Sequence, residues 1–333
     1  MKQYILKRLL LIIPTLFGIT LVTFVIIQFA PGNPAVLKVR MSRQGVADES
    51  VSQTIVEQTK KLYGLDKPIL HRFWIWTKQV FTLKFGKSYK DFRPVMDKIL
   101  EALPVTLQLD VLSIFFSYLI AIPIGIFSAV KQDSLPDRAS TVILFVLYSL
   151  PNFWVATILI MLLGAGDYLD LFPIYGISSF SADEMGFWNW LIDRVWHLVL
   201  PVTCLTYGGL ASISRYMRAG MLDVIRQDYI LTARAKGLSE KIVIFKHAFR
   251  NSIIPIVTFL AFLLPSMLGG SVIVESIFSI PGMGKLGFEA VLSRDYPVIM
   301  AIATISAFLT LIGMLLSDIL YVLVDPRITY ERV

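Results

Sequence analysis

The chain has one cysteine, Cys204, and three histidines, His71, His197 and His247, in 333 residues. A single thiol excludes an intramolecular disulfide framework and any cysteine-rich metal site. The histidines lie far apart in sequence, so interfacial or helix-surface roles suit them better than a metal centre. Charge is scarce as well. Asp, Glu, Lys and Arg make up 17% of the chain, where soluble domains carry about 25%. A phosphate-binding loop is also missing. "FGKS" at 85–88 matches the end of such a loop, but Phe81 stands where the pattern needs glycine. "GMGKL" at 282–286 fails for similar reasons. No ATPase site, and no cofactor or metal bound by the chain itself, is expected.

What the sequence has in abundance is apolar residues, 56% of the total, against about 45–50% in soluble domains. They gather in runs. A helix that crosses a membrane needs about 20 mostly apolar residues, and six stretches qualify: 9–30, 103–130, 139–166, 195–217, 253–278 and 296–324. The expected fold is an all-α polytopic membrane protein with six transmembrane helices. The first stretch follows Lys2, Lys7 and Arg8, as a signal peptide would. Its apolar run is longer than the roughly 7–15 residues of a signal core, and "QFAPGNPA" is a poor cleavage site, so it reads as a retained span.

Basic residues set the orientation. With the N-terminus inside, Lys2, Lys7, Arg8, Lys131, Arg138, Arg327 and Arg332 fall on the cytoplasmic side. So do eight more between Arg215 and Arg250. The net charge of +7 then records topology and implies no nucleic-acid partner. Both termini are expected in the cytoplasm. The organisation is read as residues 1–30 (N-terminus and first helix), 31–102 (a long outer loop) and 103–333 (a five-helix core). The outer loop carries thirteen basic residues, but loops longer than about 60 residues translocate largely regardless of charge. Lysines and aromatics at helical spacing predict short amphipathic helices there, with Trp74 and Trp76 at headgroup level, serving as anchors or as a docking surface.

Three acids fall inside the apolar stretches. Asp110 lies about a third of the way along the second, where it either lines a pathway or hydrogen-bonds a neighbouring helix. Glu275 and Asp318 lie near span ends and suit structural roles. Prolines 123, 151, 201 and 265 are expected to interrupt four spans.

The polar segment at about 218–252 stands out. Residues 223–236 read as one helix, ended by Gly237 in a left-handed conformation. Arg234 and Lys236 sit in its last turn. Ser239 is a natural N-cap for a second helix with Glu240 in its first turn. Ile242, Phe245, Phe249 and Ile253 would form one apolar face of that helix. Positive-inside placement or adhesion to anionic lipid would account for the charge, though not for the glycine break or the apolar face.

"DYILTARAKGLSEKIVIFKHAFRNSIIPI" resembles the EAA loop of ATP-binding-cassette importer permeases. Specifically, it is similar to the B-type subunit of bacterial oligopeptide, dipeptide and nickel importers. The resemblance runs along essentially the whole chain: "LKRLLLIIPTLFGITLVTFVIIQFAPGNPA", "YGLDKPIL", "LPVTLQL", "SLPNFW", "HLVLPV", "VIVESIFSIPGMGKLGFEAVLSRDYPVI" and "DILYVLVDPRI". It implies a type I ABC importer permease fold and a multi-pass protein of the bacterial cytoplasmic (inner) membrane. The implied partners are a homologous C-type permease, two cytoplasmic ATPase subunits that bind ATP and Mg, an extracytoplasmic substrate-binding protein, and membrane lipid. The implied ATPase-coupling residues are Asp228, Thr232, Ala233, Arg234, Ala235, Lys236, Gly237, Leu238 and Ser239. Ala233 and Gly237 match the third and seventh positions of the E-A-A-x-x-x-G pattern, while Leu231 replaces its acidic first position. Pro281, Gly282, Gly284 and Asp295 correspond to an outer gate or docking stretch, and Asp325–Ile328 ("DPRI") to the boundary after the last span. The implied activity is ATP-driven, alternating-access uptake of di- or oligopeptides. Nickel or another small solute is the alternative cargo. A stand-alone ion-coupled carrier is the rival from another class, and it usually shows inverted repeats, which this sequence does not. A membrane scaffold or receptor without transport is a further rival.

Overall fold

In the computed structural model the described residues are 2–29, 66–164, 168–253, 256 and 269–324. Among them the chain is mostly helical and forms no strand, only an isolated antiparallel bridge between Lys87 and Pro94. The long helices are α1 (Lys2–Phe29), α3 (Val95–Val130), α6 (Phe187–Ile225) and α11 (Tyr296–Val324); α2 (Ile69–Thr82) precedes α3. Between α3 and α6 lie α4 (Leu135–Ser149) and α5 (Asn152–Leu163). The helix α7 (Asp228–Ala235) follows α6, and a composite helix α8 spans 240–252. Finally, α9 (Val272–Ile277) and α10 (Met283–Ser293) lead into α11.

Among the described residues four helices are long and apolar enough to cross a membrane, and five spans result if the bent pair α4–α5 counts as one. The expected span 253–278 falls mostly outside the described residues, as does Pro265. The "DPRI" segment and most of the first half of the outer loop also fall outside them. The bounds of α11 match the expected stretch, whereas α3 and α6 extend well past theirs. Pro94 ends the preceding loop in an extended conformation, and Asp97 in the first turn of α3 suits the positive end of the helix dipole.

The single span expected over 139–166 is two helices bent by 97°. Leu150, preceding Pro151, takes an extended ψ of 127°, as the proline ring demands of its neighbour. The Tyr207 hydroxyl of α6 lies 2.9 Å from the Leu150 carbonyl and 2.7 Å from the Asn152 side-chain oxygen. One tyrosine thus satisfies the backbone that the elbow frees. Pro123 and Pro201, expected to interrupt their spans, sit inside continuous helices.

The centre of the bundle is the contact of α3 with α6. It is close because the facing residues are small. A Cβ on Gly125 would lie 2.6 Å from both the Met217 Cβ and the Ser214 carbonyl. Ser117 Oγ donates across the contact to the Thr206 carbonyl at 3.0 Å. Beside this pair, α1 packs on α11. Tyr4 donates to Asp318 at 2.9 Å, and Arg8 pairs with the same carboxylate at 3.2 Å. Asp318 therefore fastens two helix ends, the structural role its position suggested.

One anchor differs from expectation. Trp74 on α2 is 69% exposed, but Trp76 is 2% exposed and packs 5.7 Å from the Phe85 ring. Residues two apart on a helix point in different directions, so only Trp74 can sit in a headgroup belt.

Candidate functional site

The polar segment forms a ridge at one end of the bundle. The helix expected over 223–236 is broken: α6 continues to Ile225, Gln227 turns the chain with ψ 148°, and α7 begins at Asp228. The next turn is as the spacing predicts. Gly237 has φ +75°, and its amide donates to the Arg234 carbonyl at 2.9 Å. A Cβ there would meet nothing within 4 Å, so the demand for glycine is purely one of backbone conformation.

Across this turn the Arg234 guanidinium grips both carboxylate oxygens of Glu240, at 2.7 and 3.3 Å. The same hydrogen bond holds the Glu240 carboxyl below its usual value and raises the arginine. Ser239 occupies the cap position with extended backbone angles, but its side chain caps nothing. Its carbonyl instead takes the Ile242 and Val243 amides.

α8 departs from the expected periodicity. It starts as an α-helix at Glu240–Ile242, widens to a π-helix over Val243–Ala248 and returns to an α-helix at Phe249–Ser252. A π-turn inserts a residue and rotates everything after it. The buried residues are consequently Val243, Ile244, Ala248 and Ser252. Of the expected single apolar face, Ile242 and Phe245 are 42% and 60% exposed, while Phe249 and Ile253 are half-buried.

Of the nine expected coupling residues, Asp228, Thr232, Arg234, Ala235, Lys236, Gly237, Leu238 and Ser239 are exposed. Ala233, 6% exposed, faces the core instead. Leu231, Ile242 and Phe245 add apolar area to the exposed side. The inner side belongs to one cluster in which Ile230, Ala233, Val243 and Ala248 join Met217 and Met221 of α6 and Ile126 of α3. Two side-chain contacts reinforce it: Ser252 Oγ donates to the Met221 sulfur at 2.9 Å, and Asn251 donates to the Tyr229 hydroxyl at 2.8 Å. Farther up α6, Arg218 forks onto the buried Asp137 at 2.9 and 3.2 Å and ties in the start of α4. The ridge is thus packed on α3 and α6, and α6 is tied to α4.

The second assembly lies toward the opposite end of α3. Glu275 on α9 is 1% exposed, yet both its oxygens are engaged. Thr106 Oγ1 donates to Oε1 at 2.9 Å, and the Lys285 amide donates to Oε2 at 2.8 Å. Thr106 in turn accepts the Met283 amide at 2.8 Å. The carboxylate thus serves the free amides in the first turn of α10, a position that favours negative charge. Glycine is required around it: a Cβ on Gly282 would collide with the carboxylate, and one on Gly270, at φ +64°, would lie 2.5 Å from Oε1. A Cβ on Gly284 would come 2.7 Å from the Val272 amide.

This places the outer-stretch residues in two groups. Gly282 and Gly284 wrap Glu275, with Pro281 exposed beside them. Asp295 is buried elsewhere, accepting hydrogen bonds from Ser88 Oγ and, at 2.8 Å, from the Tyr89 amide. It pins the 85–92 loop to the start of α11. Asp110 stands four residues beyond Thr106 on α3, half-buried, and its carboxylate has no hydrogen-bond partner among the described residues. Sequence reasoning missed Thr106, Asp137 and Arg218, and placed Glu275 without finding its partners. The one signal for that assembly was the crowd of glycines on either side of the glutamate.

Comparison with known proteins gives a consistent set of similarities. Residues 121–330 match the family described as "Binding-protein-dependent transport system inner membrane component". Residues 1–110 match the corresponding N-terminal family, "Binding-prot-dependent transport system membrane comp, N-term". The chain is 42% identical over 331 residues to the oligopeptide transport system permease protein AppB of Bacillus subtilis, covering 99% of this chain and 100% of that one. It is 34% identical over 348 residues to the dipeptide transport system permease protein DppB of Escherichia coli K12, covering 100% of both. It is also 35% identical over 361 residues to the peptidoglycan transport system permease protein YejB of Agrobacterium fabrum, covering 100% of this chain and 99% of that one.

Proposed function

The chain belongs to the family of binding-protein-dependent transport system inner membrane components, and from that premise we propose that it is the membrane permease subunit of an ATP-driven ABC importer for di- or oligopeptides. The names of its full-length relatives support that cargo class. The observation that carries the mechanism is the ridge over 228–245. It is exposed on one side and built into the α3–α6 core on the other.

In this reading a cytoplasmic ATPase of the complex docks on the exposed side, around Leu231, Arg234, Gly237, Leu238 and Phe245. ATP and Mg are bound and hydrolysed by two such partner subunits, and this chain holds no ATPase site of its own. The inner side of the ridge passes the motion to α6 through Met217 and Met221, and to α4 through Arg218 and Asp137. Two such permeases, this chain and a homologous C-type subunit, then alternate access for a peptide delivered by an extracytoplasmic binding protein. The permease fold is read as of the type I importer kind, with six spans if the expected stretch 253–278 counts as one, and both termini in the cytoplasm. The division into 1–30, 31–102 and 103–333 goes with it. Pro281, Gly282 and Gly284, organised by Glu275, lie on the outer side as part of the gate. Asp110, with a carboxylate free of hydrogen bonds on the same helix as Thr106, faces the pathway.

The test is reconstitution in liposomes of this chain with its C-type partner, the two ATPases and the binding protein. ATP-dependent uptake of a labelled di- or oligopeptide that is lost when any one component is omitted is the expected result. Proton-driven uptake by this chain alone would overturn the proposal in favour of an ion-coupled carrier.

A further inference from the structure

A cleft of about 540 Å³ lies between the Phe29 end of α1, helix α2, the 85–92 loop and the first turn of α11. Among the described residues three cations line it, Lys67, Arg72 and Lys87, and no acidic residue does. Two neighbouring lysines are paired with acids. Lys90 meets Glu289 at 3.0 Å, and Lys98 meets Asp91 at 2.8 Å. Lys67, Arg72 and Lys87 form no ion pair with any described residue. Cations left unpaired round a concavity raise the local concentration of anions there.

The walls decide which anion. Phe24 and Ile27 come from the last turns of α1, and Tyr296 and Met300 from the first turn of α11. Both helices are long and apolar enough to cross a membrane, so the cleft opens where hydrocarbon gives way to water. Beside it, α2 exposes Leu70, Trp74 and Phe81 and also carries Arg72 and Lys78, the composition of a helix lying in the interface. A soluble anion would gain nothing from apolar walls. A lipid gains from both: its phosphate takes charge-assisted hydrogen bonds from arginine and lysine, and its acyl chains run along Ile27 and Met300.

We propose that this cleft binds the phosphate headgroup of an anionic phospholipid through Lys67, Arg72 and Lys87. The bound lipid then fills the space between α1, α2 and α11 on the side where Asp295 pins the 85–92 loop. Assignment to the outer leaflet rests on the orientation proposed above. Binding itself depends on neither orientation nor transport, so the assay stands or falls separately from the importer reading.

The experiment is native mass spectrometry of the full-length chain in dodecyl maltoside, titrated with phosphatidylglycerol, phosphatidylcholine or inorganic phosphate. One phosphatidylglycerol is expected to bind about tenfold more tightly than phosphatidylcholine, the scale set by two or three surface cations. The Arg72→Gln/Lys87→Gln double variant should lose most of that preference. Lys78→Gln/Lys84→Gln removes the same charge from the same segment outside the cleft and should keep it. Equal binding of the two lipids, or equal losses in the two double variants, would overturn the site. Displacement of the lipid by an equal concentration of inorganic phosphate would overturn the lipid as its occupant. The wild-type lipid comparison decides the matter even if a variant fails to fold.

Discussion

The Thr106 hydroxyl donates to Glu275 at 2.9 Å while accepting the Met283 amide at 2.8 Å, so one side chain of α3 holds a buried carboxylate and the turn wrapped round it. Glu275 and Thr106 lie 169 positions apart in sequence. Their contact joins α3, whose other end meets the ridge, to α9 and α10.

Thr106→Val keeps the side-chain shape and removes the hydroxyl. It leaves a buried carboxylate oxygen and a buried amide without partners, which costs about 1–3 kcal/mol for a group of this kind. Thr106→Ser keeps both hydrogen bonds. Thermal unfolding of the purified protein in detergent should show a lower midpoint for the valine variant than for the serine one. Equal midpoints would show that the hydroxyl bears no load.

Gly237 isolates a backbone effect, because a side chain there meets open space. A β-branched residue in the left-handed region costs about 1–2 kcal/mol, whereas asparagine tolerates it better. Gly237→Val should lower peptide uptake with membrane insertion intact, and Gly237→Asn should retain most of it. Full uptake in the valine variant would mean that the turn does not have to hold its shape.

Gly125 is the reverse case, a steric requirement inside a continuous helix. Gly125→Ala pushes a methyl against the Ser214 carbonyl and Met217, with an overpacking cost of about 1–3 kcal/mol. Gly18→Ala on α1, where a Cβ meets nothing within 4 Å, should be neutral. Comparing the two by thermal unfolding checks the closeness of α3 and α6, and equal stability would contradict it.

The Arg234–Glu240 pair is exposed, so screening leaves it worth about 0.5 kcal/mol. The folded carboxyl is held below its ordinary value of 4.5. Its contribution is therefore fully present above 4.5 and lost as the pH falls through the lower folded value. Glu240→Gln should abolish that small acid-side loss in a melting series from pH 7 to pH 3 while barely changing stability at pH 7. An unchanged acid-side slope would place the titration elsewhere.

How far these features were legible depends on the distance over which they are decided. The ends of α11 and the positive φ of Gly237 are local, set by an apolar run and by a glycine after a basic turn, and both could be read directly. The elbow at Pro151 could not be separated from Pro123 and Pro201, since all three carry the same signal. What distinguishes it in the structure is the extended Leu150 and the Tyr207 hydroxyl waiting on another helix. The α8 faces were misassigned because a periodicity argument assumes 3.6 residues per turn, and the π-turn breaks that count. Trp76 looked equivalent to Trp74 by composition and differs only by its angle round α2. Glu275 was visible as an acid in an apolar stretch, but its hydroxyl partner lies on a distant helix and no local pattern names it.

The central claim is that the exposed side of the 228–245 ridge meets an ATPase that moves during the cycle. Cys204 is the only thiol and is fully buried, so Cys204→Ser provides a clean background. In it, Leu238→Cys places a thiol on the exposed side, and Ala233→Cys places one on the buried side. Oxidative crosslinking of each to single-cysteine ATPase subunits, with and without ATP, is the most direct measurement. A crosslink from position 238 whose yield changes with ATP, and none from 233, is the predicted result. No crosslink from 238 in a complex shown to be assembled would contradict the claim.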